Sequence, residues 1–190
     1  LTDFMAIPPL DDSAPVFRFI DGFSRLAKPF VAAIEGVAVG VGTTMLLHCD
    51  VVCITEQSRL TTPFVNLALV PEAASSLLMQ ARIGYARAYS LFALGEPVDG
   101  KTAVEWGLAR HLVAPEALHA KALAVAHTLA EKPIGALRAT KLLMRDAALI
   151  AQTMDRESAV FAERLKSPEA AEAFRAFAEK RAPDFKRVAS

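Results

Sequence analysis

Residues 28–84 read KPFVAAIEGVAVGVGTTMLLHCDVVCITEQSRLTTPFVNLALVPEAASSLLMQARIG, and this stretch decides the fold. Residues 30–34 form a short apolar run closed by Glu35-Gly36, the pattern of a buried strand. Gly40-Val41-Gly42 then opens a helix through His48, and residues 50–55 (DVVCIT) return as a strand rich in β-branched side chains. A strand, a helix and a second strand within so few residues predict a right-handed crossover and a parallel sheet. The same stretch carries one carboxylate, Glu72, inside an otherwise uncharged segment, residues 67–78. A backbone N–H at a helix start and a partly desolvated base nearby suit chemistry at a carbonyl.

Working outward, Phe17, Ile20, Phe23 and Leu26 recur at helical spacing and stop before Lys28-Pro29. Beyond Pro71 the chain turns helical: residues 75–83 and 86–94 are separated by Gly84-Tyr85. Asp99 reads as the N-cap of a helix over 101–106 that Gly107 closes, and 108–113 as one more short strand. Four helices follow over 117–131, 134–147, 153–166 and 169–181, with Pro115, Pro133 and Ser167-Pro168 at three of their starts. The expected division is an α/β core over 1–113 and a helical C-terminal region over 114–190. The long alanine-rich helices of that region are read as packing on other subunits.

The composition narrows the function. Twenty-one Lys and Arg balance 21 Asp and Glu, so no global field favours nucleic acid or an anionic membrane surface, and an anionic ligand must be held by local donors. Residues 36–49, the longest uncharged run, are too short to cross a bilayer. Cys49 and Cys53 sit in apolar sequence and read as reduced core residues of a cytoplasmic protein, badly placed for a mutual disulfide. With His48 they match no zinc spacing, so core packing is the expectation, and no metal is anticipated. His111, His119 and His127 are scattered, the last two on a surface helix face. Asp50 is read as the cap or anchor of a strand start, Glu35 as a turn residue, and Ser75-Ser76, with no histidine near in sequence, as residues that line a pocket or pack rather than nucleophiles.

Four motifs in order carry a family resemblance: KPFVAAIEGVAVGVG, HCDVVCITEQSRLTTP, VDGKTAVEWGLARHLV and FAEKRAPDF. Together they resemble the enoyl-CoA hydratase/isomerase (crotonase) superfamily over nearly the whole chain. The resemblance implies a crotonase (ClpP-like) spiral of ββα units with a helical C-terminal trimerisation region. It also implies an acyl-CoA thioester as substrate with no separate cofactor, and a homotrimer or dimer of trimers. The chain opens at Leu1 in mid-pattern and is read as an N-terminally truncated form of that fold. An F-x-A-G-x-D loop supplying one of two oxyanion donors is then expected before Leu1, and low activity is expected of these 190 residues alone. The RNA-binding branch of the superfamily is disfavoured by the zero net charge.

The resemblance assigns roles residue by residue. The second oxyanion donor falls on the backbone N–H of Val41, after Gly40. The two glutamates of the hydratases fall on Thr44 and Phe64, neither of which moves a proton as a carboxylate does. Thr62-Pro63-Phe64 followed by Pro71-Glu72 and Ser75-Ser76 resembles instead the peroxisomal-type Δ3,Δ2-enoyl-CoA isomerases, whose single base falls on Glu72. Ala73 departs from the glycine usual there. Gly40 and Phe64 are expected to contact substrate. Phe177 and Lys180, three apart on one helix face, are expected to reach the CoA of a neighbouring subunit. Read from its residues alone, Glu72 is drawn two ways: apolar surroundings raise its pKa, and a place at a helix start lowers it. A first-turn helix acid, simple tight turns at Gly36, Gly40 and Gly42, a hydratase-like enzyme and a non-catalytic CoA-binding scaffold are the competing readings.

Overall fold

Residues 15–188 are described by the computed structural model, so the first fourteen residues of the expected α/β unit lie outside the description. The amphipathic pattern around Phe17 forms helix α1 (Pro15–Ser24). Strand β1 (Val31–Ile34) follows where the apolar run predicts it, and after a two-residue corner comes β2 (Val37–Val39). Helix α2 (Val41–Thr44) is shorter than expected, because the chain tightens into a 3-10 turn over Met45–His48 before β3 (Val51–Ile54). Strand β4 (Arg59–Thr61), a 3-10 turn at Val65–Leu67, and helices α3 (Ser75–Ile83) and α4 (Tyr85–Ala93) come next. Strand β5 (Val98–Asp99), helix α5 (Gly100–Glu105) and strand β6 (His111–Leu112) complete the strand-bearing part.

These strands divide between two three-stranded sheets, ordered β1-β3-β6 and β2-β4-β5. β1 pairs in parallel with β3 (Val31 with Val51, Ile34 with Ile54), as the short crossover predicts. β2 pairs in parallel with β4, and only β4 with β5 is antiparallel. β1-β2 and β3-β4 each leave one strand in each sheet before a helical stretch, as in the ββα spiral implied by the resemblance, and the last unit runs β5-α5-β6. The corner from β3 to β4 is a buried polar knot: the Thr55 and Ser58 hydroxyls lie 2.9 Å apart, and Ser58 Oγ donates to the Ile34 carbonyl at 3.0 Å. Satisfying those groups internally lets Thr55 and Ser58 be buried at little cost while Glu56 and Gln57 between them stay exposed.

The remaining helices are α6 (Leu118–Ala130), α7 (Ile134–Leu143), α8 (Ala147–Leu165) and α9 (Pro168–Ala178). Two differences from expectation share one cause. α7 stops at Leu143 and α8 starts at Ala147, not at 153, because Asp146 caps α8 by accepting from Leu149 N at 2.9 Å. Helix α6 packs on β1 and β3, α8 on α3, and α9 on the turn at Val65–Leu67. The helical region is thus part of the core's wall. Asp50 anchors its strand start as expected, accepting from Phe30 N and from Lys141 Nζ, both at 2.7 Å. The second bond ties α7 to the sheet. Asp99 caps α5 through Thr102 N at 2.8 Å, and both cysteines are free and buried.

Candidate active site

An apolar cavity of about 230 Å³ opens where β2 runs into α2. Val39, Gly40 and Val41 form one wall, and Phe64 and Glu72 from the loop after β4 form another. Phe17 and Ile20 of α1, Phe161 of α8 and Phe174 of α9 close the rest. Gly40, Val41, Phe64 and Glu72 are thus brought together, although the first and last are 32 positions apart. Among the described residues, Glu72 is the one titratable side chain on that lining.

The Val41 end is held by backbone geometry. Gly40 has φ 55° and ψ −118°, a conformation only glycine adopts cheaply, and its N–H donates to Thr61 O at 2.9 Å. Its carbonyl accepts from Thr43 N and Thr44 N. Among the described residues nothing accepts from Val41 N–H.

Glu72 is only 8% exposed. Its Oε1 accepts from Thr44 Oγ1 at 2.5 Å, while Oε2 is buried with no partner among the described residues. Burial pushes its pKa up to about 7; the Thr44 hydroxyl holds it back, and the charge of Glu157 adds to the rise. Thr44, set aside in the sequence as unable to move a proton, therefore orients the carboxylate that does face the cavity. Replacing it with valine should remove a donor that favours the anion. A 13C NMR titration of the Glu72 carboxyl should then show its midpoint displaced to higher pH in Thr44→Val, and an unmoved midpoint would contradict the assigned role of the hydroxyl.

The pull of the helix start, left open by the sequence, is settled by where α3 begins. Ala73 (φ 60°) and Ala74 (φ 56°) are both left-handed, so Glu72 lies ahead of the helix rather than in its first turn. The N-terminal amides of α3 are taken by another carboxylate: Glu157 of α8 accepts from Ala74 N at 2.6 Å and from Ser76 N at 2.8 Å. The Ala73 carbonyl is held by His48, whose Nε2 lies 2.7 Å away. Arg145 Nη2 sits 2.7 Å from His48 Nδ1, and because a guanidinium only donates, Nδ1 accepts and Nε2–H donates to Ala73. Burial lowers the His48 pKa to about 4, so the ring stays neutral and keeps that tautomer. His48 is a core residue, as expected, but one that fixes the Glu72 loop.

Sequence reasoning missed Glu157, Phe161, Phe174 and Arg145, which approach from more than 70 positions away with no local signal. It also expected Phe177 and Lys180 on one helix face. Helix α9 ends at Ala178, and Lys180 adopts φ 52°, with its N–H on Phe177 O and Arg181 N on Ala176 O. This left-handed C-terminal turn takes Lys180 off the helix face, and neither residue lines the cavity.

Residues 13–188 match the family "Enoyl-CoA hydratase/isomerase", and the chain belongs to that family. It is 33% identical over 172 residues to a probable enoyl-CoA hydratase of Bacillus subtilis, covering 89% of this chain and 67% of that protein. It is 34% identical over 110 residues to the 1,2-epoxyphenylacetyl-CoA isomerase of Escherichia coli, covering 58% of this chain and 42% of that one. The crystal structure of an enoyl-CoA hydratase/isomerase from Pseudoalteromonas atlantica superposes with a TM-score of 0.87 at 38% identity, over 92% of this chain and 72% of that chain. The chain spans about half to two thirds of the length of the curated relatives it matches. No helix among the described residues is long and apolar enough to cross a membrane.

Proposed function

We propose that the protein is an acyl-CoA isomerase that moves a 3-enoyl-CoA double bond to the 2-position with one carboxylate. The observation that carries this reading is the solitary Glu72 on an otherwise apolar cavity wall, with its pKa pushed up to about 7. In the forward step the Glu72 carboxylate takes the proton α to the thioester. The C–H electron pair moves into the carbonyl, giving a dienolate whose oxygen is held by Val41 N–H. The new carboxylic acid then returns the proton two carbons along as the double bond settles at the 2-position. A base with a pKa near working pH suits both transfers, since it must accept and release the same proton. Thr44 and Phe64 stand where a two-glutamate hydration needs carboxylates, which disfavours that route. The peroxisomal-type isomerase likeness rests on the Thr62-Pro63-Phe64 and Pro71-Glu72 motifs.

The relatives' names favour a second reading, addition of water to a 2-enoyl-CoA, and a scaffold that binds CoA without turnover is a third. Turnover of 3-enoyl-CoA against pH separates them. The isomerase should be slow in acid and rise as pH passes through about 7, because the ionised carboxylate is the active form. Incubation with 2-enoyl-CoA completes the separation: 3-hydroxyacyl-CoA formed from it, without turnover of 3-enoyl-CoA, would favour the hydratase, and CoA binding without turnover of either substrate the scaffold. A homotrimer or dimer of trimers fits the exposed Leu142, Leu143 and Met144 around the end of α7, and the proposed setting is cytoplasmic, with Phe177 and Lys180 toward a neighbour's CoA.

A further inference from the structure

A catalytic carboxylate placed just ahead of a helix N-terminus has a competitor for its proton: the helix itself, whose free N–H groups stabilise an anion. Here that competition is removed by a residue 85 positions away. Both oxygens of Glu157 are engaged by backbone amides, Oε2 by Ala74 at 2.6 Å and Oε1 by Ser76 at 2.8 Å, and the side chain is 7% exposed. A carboxylate accepting on both oxygens is matched to its ionised form, which these bonds favour against the burial that raises its pKa. The same bond fixes Ala74 in its left-handed conformation, one residue beyond left-handed Ala73 and two beyond Glu72. Two successive non-glycine residues in that region persist only where the surroundings hold them.

We propose that Glu157 is a positioning residue of the site: reaching across from α8, it takes up the N-terminus of α3 and holds the Ala73–Ala74 turn, so that Glu72 projects into the cavity as an uncapped base. The inference rests on Glu72 being the acid/base of the proposed reaction. Among the described residues, the charged groups around the pair are Arg18 and Asp21 on α1, Arg25 just beyond its end, and Asp155 and Arg156 on α8, while His48 behind Ala73 is neutral. Arg25 is paired with Asp21, and Arg82 sits at the far end of α3. None of these accepts from the Ala74 or Ser76 amides, so none replaces Glu157 there.

Replacing Glu157 with glutamine removes a negative charge near Glu72 and leaves one acceptor oxygen for the two amides that Glu157 holds, so one N–H of the helix N-terminus is freed. Both changes favour the Glu72 anion, so both move its titration to lower pH. The test compares the full-length protein with Glu157→Gln, Glu157→Asp and Glu72→Gln by two readouts. One is the 13C titration of the Glu72 carboxyl, assigned as the signal missing in Glu72→Gln. The other is the pH dependence of 3-enoyl-CoA turnover. Glu157→Gln should shift the Glu72 midpoint below that of the parent, carry the acid limb of the rate profile with it, and lower the alkaline plateau at least about tenfold through a weaker, misplaced base. Glu157→Asp, which keeps the charge on a shorter arm, should hold the midpoint near the parent's while still losing rate. A folded Glu157→Gln with an unmoved midpoint would overturn the proposal. If Glu157→Gln does not fold, a Glu157→Asp protein as fast as the parent overturns it instead. Glu72→Gln turning over like the parent would defeat the reading of Glu72 as the base, yet the titration would still decide whether Glu157 sets its proton affinity.

Discussion

Glu72→Gln is expected to lower 3-enoyl-CoA turnover by about 10²–10⁴-fold, the usual worth of a general base, while acyl-CoA binding survives. Glutamine keeps an oxygen for the Thr44 hydroxyl, now at 2.5 Å from Glu72, and fits the same volume, so the cavity should be preserved. The variant should also change how stability depends on pH. The folded state holds Glu72 protonated up to about 7, against an ordinary carboxylate value of 4.5. A group whose pKa is raised on folding contributes stability that is complete below its unfolded pKa and disappears as pH rises through its folded pKa. A displacement of that size corresponds to about 3 kcal/mol. The parent should therefore lose about 3 kcal/mol relative to Glu72→Gln between pH 4 and pH 8, as read from urea unfolding at each pH. Parallel stability curves would mean that Glu72 titrates as an ordinary carboxylate.

The second large effect concerns the frame that carries the site. Gly100→Ala is expected to destabilise the protein by about 3 kcal/mol or more, visible as a fall in the urea midpoint. Gly100 opens α5, and a Cβ added there would lie 1.9 Å from the Thr55 carbonyl oxygen and 2.8 Å from its carbon. The obstacle is backbone, at the end of β3, where Val113 N bonds to Ile54 O and β6 pairs alongside. Neither side can yield without opening the β3-β6 pairing or the Thr55–Ser58 knot. A stability of only about 5–15 kcal/mol leaves little margin for such a clash. An unchanged midpoint would show that α5 can move away from β3 freely.

How much of this was legible in the chain depended on distance along it. β1, β3, α3 and the Asp99 cap follow from local pattern, because each is set by neighbours within a few residues. β2 and β4 did not announce themselves. Val37 and Val39 are exposed beside two glycines and Arg59–Thr61 is only three residues long, so their strand character comes from pairing with each other. Of the site, Gly40, Val41, Phe64 and Glu72 were readable from motif order. Whether the helix start would stabilise the Glu72 anion was not, because the answer lies in the left-handed turn at Ala73–Ala74 and in Glu157. A glutamate in the middle of a long amphipathic helix looks like any solvated residue. His48 was read correctly as a packed histidine, but its bond to Ala73 O becomes visible only when the loop closes over it.

The central claim is that one carboxylate carries a proton from one carbon of the acyl chain to another. Its most direct measurement feeds the full-length protein a 3-enoyl-CoA deuterated at the α carbon, in ordinary water, and determines the product by mass and NMR. The account predicts 2-enoyl-CoA with part of the deuterium delivered to the γ carbon, and loss of that product in Glu72→Gln. Recovery of unchanged 3-enoyl-CoA, or undiminished isomerisation by Glu72→Gln, would contradict it.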